Sequence, residues 1–528
     1  MFSFFRRLLF LWPRKQRKVQ KAFPEPAHPF YPVPLKLADK TKIMGELIGH
    51  SIDIIFRRFQ LGGSGKNAVA VYVEGLVKTD EQGKALFKSL MQLSPDDVKG
   101  SKSAQKYETI KNNMIFTGQL TEHDDLWEAS LRVLAGDTVL LLDGVKKVLS
   151  VTLRNPPQRS VEAPKREMAV RGPLEGFTEL LQTNMLLIRR RLKHPDLTFE
   201  NLRGGTYTNT DVAIAYLRGV ANPKIVEEVR RRLRRITHTD SILESGQIEE
   251  LIEDDPYSPF PQVEHTERPD KVAAQLLEGR VVILTDGTPL VLIVPVLFWQ
   301  FIQSSDDYYE RIFSSFLRLG RVAALAVALF LPSIYIALTT YHQEMIPFSL
   351  LLSIKVAREG VPFPAFIEAL IMEVLFELLR EAGIRLPMQI GQAISIVGAI
   401  ILGQAAIQAN LVSPAMVIIV AITAISSYLI PAYNVSIALR LLRFGVMFLA
   451  AALGLFGVLL AAMFLLTHLV ALRSFGVPYM SPLAPLNLHD LKDIFFRPPK
   501  WATDRRPSVL RPLDRVRQDD RLKPGPEQ

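Results

Sequence analysis

The sequence predicts a multidomain chain: two tandem small α/β subdomains, then an all-α membrane domain. The latter is a helical transmembrane bundle of four spans, or five if an acidic segment also crosses. Two observations carry the membrane half. Val322–Tyr341 has no ionisable side chain other than tyrosine, and Phe444–Leu466 has no Asp, Glu, Lys, Arg or His. Roughly 20 apolar residues suffice to cross the hydrocarbon core of a bilayer. A third observation carries the head. The residues before Val322 are polar and loop-punctuated, and they hold two hairpin signatures, Asp143-Gly144 after TVLLL and Asp286-Gly287 between VVIL and PLVLIV, each a turn dipeptide between β-prone runs. At 528 residues the chain is too long for one core.

Taken in order, residues 1–38 read as a basic, Pro-rich arm. Arg6 and Arg7 split its first apolar run, against a cleaved leader, and Pro24, Pro26, Pro29, Pro32 and Pro34 forbid a continuous helix. Residues 39–163 form subdomain 1. Helical spacing of apolar positions predicts a helix over Asp39–Leu61, branched and aromatic residues predict a strand at Ala68–Leu76, and Thr138–Val145 pairs with Lys147–Leu153. Subdomain 2, residues 164–296, holds a helix at Phe177–Leu192, a strand at Asp211–Leu217, a helix at Lys224–Ile236 and a closing hairpin over Arg280–Pro295. Residues 297–320 mix Phe298, Trp299, Phe301, Tyr308 and Tyr309 with Asp306, Asp307, Glu310 and Arg311, a blend suited to an amphipathic interfacial helix at the headgroup layer. The transmembrane domain, 321–475, has spans at Val322–Tyr341, Ile390–Ala409, Val412–Ile430 and Phe444–His468; residues 476–528 are a basic, Pro-rich tail.

The net charge is +10, and basic residues cluster at Arg189–Arg191 and at Arg230, Arg231, Arg232, Arg234 and Arg235. On a membrane protein such clusters point to anionic lipid at the cytoplasmic surface rather than to nucleic acid. A basic head and a basic tail both favour the cytoplasm, which requires an even number of crossings. Four spans then leave the acidic segment Pro362–Arg385 re-entrant or on the surface, and turn Arg440 and Arg443 outward. A fifth span through Pro362–Leu379 repairs that conflict but moves the tail outside.

Enzyme signatures are missing. There is no cysteine, so thiolate metal sites and Cys nucleophiles are excluded. Leu61–Asn67 (LGGSGKN) lacks the glycine spacing and the Ser or Thr of a phosphate-binding loop and reads as a turn. No two histidines lie within four residues, so no local metal motif exists. No catalytic, metal or cofactor-binding residue is expected. The chemistry instead lies in the membrane half, at Glu368, Glu373, Glu377 and Glu381. The last three repeat at i+4 and form one stripe on a helix, and carboxylates at membrane depth need water or a partner. Two explanations stand: a cation pathway, or neutralisation of Glu377 and Glu381 by Arg380 and Arg385 on an interfacial helix. In the next span Gln404 and Gln408 share a face, and Ala399 with Gly403 makes a small-xxx-small pair, a helix-packing pattern first and a pore lining second.

The runs VRGPLEGFTE from Val170, LLIRRRLKHPDL, LLEGRVVILTDGTPLVLIVP from Leu276, SSDDYYERI, REGVPFPAFIEALIMEVLFELLREAGIRLP and SIVGAIILGQAAIQANLVSP resemble the A subunit of the GerA family of spore germination proteins. The resemblance covers roughly Leu61–Leu491. It implies a germinant-receptor component in the spore inner membrane with its large N-terminal part cytoplasmic. It also implies self-association around an ion-conducting path, and partnership with a transporter-like B subunit and a lipoprotein C subunit. Glu368, Glu373, Glu377, Glu381, Gln404 and Gln408 are the residues expected to line or gate that path. The alternatives are a non-conducting membrane scaffold for receptor subunits, or a relative acting in dipicolinate release.

Overall fold

The computed structural model describes residues 30–62, 67–77, 90–91, 119–153, 163–164, 167, 172–304, 307, 312–386, 403–488 and 490–518. Most of the expected arm, the centre of the glycine-rich turn and most of the Ile390–Ala409 span lie outside the described residues.

The head is α/β, as expected, and its two units share one plan. Unit 1 contains α1 (Leu37–Ile48), β1 (Ile54–Gln60), β2 (Asn67–Val73), β3 (Leu120–His123), α2 (Leu126–Leu134), β4 (Thr138–Leu142) and β5 (Val148–Val151). Unit 2 contains α3 (Leu181–Arg191), β6 (Leu197–Gly204), β7 (Thr210–Leu217), α4 (Pro223–Arg235), α5 (Ser245–Ile252), β8 (Glu264–Thr266), α6 (Pro269–Leu277), β9 (Val281–Thr285) and β10 (Val291–Val294). Each sheet has five antiparallel strands, ordered β1-β2-β4-β5-β3 and β6-β7-β9-β10-β8. Equivalent elements recur 143 residues apart, including α2 with α6, β4 with β9, and the left-handed glycines Gly144 and Gly287. With φ of 78° and 84°, both turn positions favour glycine. The adjacent aspartate does the same work twice. Asp143 accepts from the Leu37 backbone N–H at 3.1 Å and Asp286 from that of Leu181 at 3.0 Å, so each hairpin turn caps the opening helix of its unit.

The expected helix over Asp39–Leu61 ends at Ile48, and Ile54, Ile55, Phe56 and Phe59 belong to β1. The break has a cause in the intervening loop, where Ser51 and Asp53 receive Arg189 from unit 2. Arg189 is fully buried and donates to Asp53 Oδ2 and Oδ1 and to Ser51 Oγ, each at 2.9 Å, with its guanidinium 5.1 Å from the Phe199 ring. One arginine thus joins the two units. The other basic residues are also largely spent inside the head: Arg191 pairs with Glu175, Arg230 with Glu200 and Glu227, Arg231 with Glu228, and Arg232 with Glu228 and Asp254. Part of the charge of these clusters is thus paired within the head, while Arg231, Arg234 and Arg235 stay exposed.

Residues 297–320 are not one interfacial helix. Phe298–Ile302 is a 3₁₀ turn whose Phe298 and Phe301 are buried against Tyr479, and from Ile312 the chain already belongs to α7 (Ile312–Thr340). Asp307 is held by Arg318 at 3.0 Å and Arg321 at 3.1 Å. Phe298, Phe301 and Asp307 thus find partners within the protein, while Asp306, Tyr308, Tyr309, Glu310 and Arg311 lie outside the described residues.

The membrane half continues with α8 (Phe348–Arg358), α9 (Ala365–Arg385), α10 (Pro414–Tyr428) and α11 (Tyr433–Ala471). Among the described residues two helices are long and apolar enough to cross a membrane, Phe313–Thr340 and Tyr433–Ala471, and α10 is a shorter apolar helix. The expected span at Val322–Tyr341 falls within the first but for its last residue, and the one at Phe444–His468 falls within the second but is divided at Gly454. The one at Val412–Ile430 shrinks to the 15 residues of α10, started by Pro414 behind the Ser413 cap.

α11 is not a single rod. Gly454 has φ 62° and ψ −143° inside it, and a Cβ built on Gly457 would collide with the Leu449 carbonyl oxygen. Both ends meet the head, Asn434 lying 3.5 Å from His265 and His468 2.8 Å from Ser258. A straight helix of this length would hold its ends about 57 Å apart. The chain therefore doubles back at Gly454, at the end of the bundle far from the head, where Tyr341 donates to the Ala451 carbonyl at 2.8 Å. The tail returns to unit 2, with Tyr479 Oη donating to Pro261 O at 2.6 Å and Leu513 N to Val220 O at 3.0 Å. Head and tail share one side, and α9 nevertheless runs the depth of the bundle: Glu368 sits by Ser413 at the far end and Arg380 by Ser427 at the head end.

Lys40 supplies a pH test of unit 1. It is buried, donating to the carbonyls of Leu142 (2.6 Å) and Val145, and burial lowers its pKa from 10.5 to about 8 despite the nearby Asp143. The folded form releases this proton at lower pH than the unfolded chain, so unit 1 should gain stability as pH rises from 8 toward 10.5. Amide exchange in α1 measures this, and Lys40→Met should abolish that component of the pH dependence.

Candidate functional site: an ion-paired acidic helix

α9 carries four carboxylates, Glu368 and Glu373 buried, Glu377 half-buried and Glu381 exposed, and the structure supplies a cation to each. At the far end Glu368 is fully buried; Arg358 Nη2 lies 2.9 Å from its Oε1, and the Ser413 backbone N–H donates to its Oε2 at 2.9 Å. Ser413 is the N-cap of α10, so this carboxylate also meets the positive end of that helix. Halfway along, Glu373 and Arg443 pair at 2.6 Å with both side chains buried. Arg443 Nε also donates to the Ala328 carbonyl of α7 at 2.7 Å. That carbonyl is free because its helical partner would be the N–H of residue 332, and Pro332 has none. The proline's missing donor is thus replaced by an arginine from another helix, as lipid-embedded backbone requires. Among the described residues Glu373 Oε1 and Arg443 Nη2 have no hydrogen-bond partner.

Toward the head, Arg440 pairs with Glu377 and donates to Ser436 O at 3.3 Å. Arg380 does not neutralise Glu377. It donates to Ser427 Oγ at 3.0 Å and lies 4.6 Å over the Tyr428 ring. Glu381 is bound by Arg385 at 2.6 Å on the exposed surface, as the i+4 spacing predicts. Because Glu373 meets Arg443 and Glu377 meets Arg440, α9 and the first half of α11 run antiparallel, with i, i+4 carboxylates facing i, i+3 guanidiniums.

Of the six residues expected to line or gate a path, the four glutamates share this ladder and the two glutamines do not. Gln404 and Gln408 are exposed on the helical stretch 403–408, packed near Val417 of α10. Sequence reasoning missed Arg358, Arg440, Arg443 and the Ala328 carbonyl as partners. The available signal was the pair Arg440 and Arg443, one turn apart in an apolar helix, matching the glutamate spacing. Among the described residues no group of three or more His, Cys, Asp or Glu could hold a metal ion.

Breaking a buried pair is costlier than removing it, since the survivor keeps its desolvation cost without its partner. Arg443→Met alone should destabilise the protein by about 3–5 kcal/mol. Adding Glu373→Met should recover most of that loss. Thermal unfolding in detergent measures both, and equal melting points for the single and double variants would show that the pair does not hold the bundle.

Comparison with known proteins places this architecture. Residues 42–509 match the family of Bacillus/Clostridium GerA spore germination proteins. The chain is 46% identical over 459 residues to the uncharacterized membrane protein YfkQ of Bacillus subtilis, covering 87% of this chain and 88% of that protein. It is 45% identical to spore germination protein KA of the same organism (91% and 87% covered) and 39% identical to spore germination protein GerLA of Bacillus cereus (90% and 96%). The crystal structure of the N-terminal domain of the A subunit of the Bacillus megaterium spore germinant receptor GerK3 aligns at 36% identity with a TM-score of 0.41, covering 51% of this chain and 99% of that one. By a family match along most of its length and relatives covered nearly end to end, the chain belongs to the GerA family of spore germination proteins.

Proposed function

We propose that this chain is the A subunit of a nutrient germinant receptor in the spore inner membrane. In this reading its head and tail are cytoplasmic, and it works beside a transporter-like B subunit and a lipoprotein C subunit. Copies of it assemble around an ion-conducting path that opens when nutrient is sensed. The observation that carries the gating part is the ladder on α9. Glu368 and Glu373 are held by Arg358 and Arg443, so they act as a latch that keeps α9 seated. The path itself is assigned to the surface bearing Gln404 and Gln408, two polar side chains exposed on one helix face. An amide on that surface fits water or a neighbouring protomer better than acyl chains.

A second reading, a non-conducting scaffold for receptor subunits, is favoured by one fact: all four carboxylates of α9 already have a cationic partner. Spores carrying Gln404→Leu with Gln408→Leu decide between the two. With the subunit's abundance unchanged by immunoblot, conduction predicts that nutrient-triggered monovalent-cation release slows at least tenfold, an effect of about 1.4 kcal/mol. Release at the wild-type rate, with no flux through the purified protein in liposomes, would leave the scaffold.

A further inference from the structure

On the side of the bundle away from the head, α8 has no buried residue. Phe348, Leu352 and Val356 stand four apart and form one stripe, and they are 80%, 54% and 64% exposed. The other side of the helix is anchored. Ile354 packs against the bundle core, and Arg358 is tied to Glu368 at 2.9 Å. Between α8 and the end of α7 lies a cavity of about 400 Å³, with Thr339, Gln343, Leu351, Lys355, Arg358 and Glu359 in its walls. Lys355 is exposed at this cavity and forms no ion pair among the described residues.

We propose that α8 lies in the bilayer interface of the leaflet opposite the head. Its Phe348–Leu352–Val356 stripe enters the acyl layer, and the cavity beside it takes the headgroup of an anionic phospholipid with the phosphate on Lys355. Three observations select lipid over a second copy of the chain. The stripe stands at the same end of the bundle as the exposed Leu453 and Phe456 that flank Gly454, and exposed apolar side chains continue from there along α11 at Leu460 and Phe464, so the stripe is part of an apolar surface that covers the bundle. A lysine beside an apolar stripe, stem along the chains and ammonium at the phosphates, is the arrangement of interfacial helices. Of the other charged groups in the cavity walls, Arg358 is already spent on Glu368 and Glu359 is an exposed carboxylate at the C-terminal end of α8, which leaves Lys355 as the complement for one phosphate. The proposal rests on the bundle lying in a bilayer and is independent of ion conduction.

Because the chain has no cysteine, Phe348→Cys, Leu352→Cys and Val356→Cys each give a unique spin-label site. The full chain is placed in nanodiscs of phosphatidylglycerol and phosphatidylcholine, and label relaxation is read with oxygen and with a water-soluble nickel chelate. All three sites should favour oxygen. Preference for nickel would mean a water-exposed face, and protection from both would mean a protein neighbour; either overturns the assignment. Phe464→Cys, at an exposed position in the second half of α11, is the control. If it too prefers nickel, the bilayer placement of the bundle has failed rather than the assignment of α8. For the headgroup, native mass spectrometry should find phosphatidylglycerol retained about fivefold less by Lys355→Ala, the effect of one lysine at a membrane surface, and normally by Lys355→Arg. Equal retention by all three forms, or full displacement by inorganic phosphate, would overturn the lipid site.

Discussion

The membrane half depends on one arrangement: Glu373 of α9, Arg443 of α11 and the Ala328 carbonyl of α7 meet in a single buried knot. Each member has a deficit that the others remove. The carboxylate needs a cation, the guanidinium needs acceptors, and the carbonyl lost its helical donor to Pro332. In a medium without water such deficits cannot be left to solvent. Three helices are therefore tied at one point, and the charges of α9 are met by its partners.

The same logic explains the orientation. Counted as free charges, Arg440 and Arg443 demand a basic surface on the far side. Paired with Glu377 and Glu373 they are internal, and they impose no sidedness. The doubling back of α11 at Gly454 then brings the tail to unit 2 of the head, where it is held by Pro261 and Val220. At the junction, Asp307 pairs with Arg318 and Arg321 near the start of α7, the helix that carries the Ala328 carbonyl. Within the head, Arg189 ties the two units together.

Much of the head was legible because its signals are local. The turn dipeptides Asp143-Gly144 and Asp286-Gly287 marked both closing hairpins, and the strands at Asn67–Val73 and Thr210–Leu217 announced themselves by branched and aromatic residues. The duplication of the two units was not legible. What repeats is a set of backbone requirements, such as left-handed glycines and a capping aspartate, rather than a hydrophobic spelling. The end of α1 was missed because Ile52, Ile55 and Phe59 continue a helical spacing by chance, while the loop at Ser51 and Asp53 exists to receive Arg189, 136 positions away from Asp53. In the bundle, composition revealed the apolar runs but hid the fold at Gly454, since a glycine in an apolar stretch looks the same whether the helix runs on or turns back. The acidic stripe was visible, its partners were not: an ion pair across helices depends on which faces meet, and sequence spacing fixes only each face separately.

The central claim is that α9 traverses the bilayer, made possible by its arginine partners. Single cysteines at Glu359, just before α9, and at Arg385, its last residue, can be labelled with a membrane-impermeant maleimide in oriented vesicles of this otherwise cysteine-free chain. The account predicts labelling from opposite faces, with Arg385→Cys reached from the side that holds the head. Labelling of both from the same face would place α9 along the surface and contradict it.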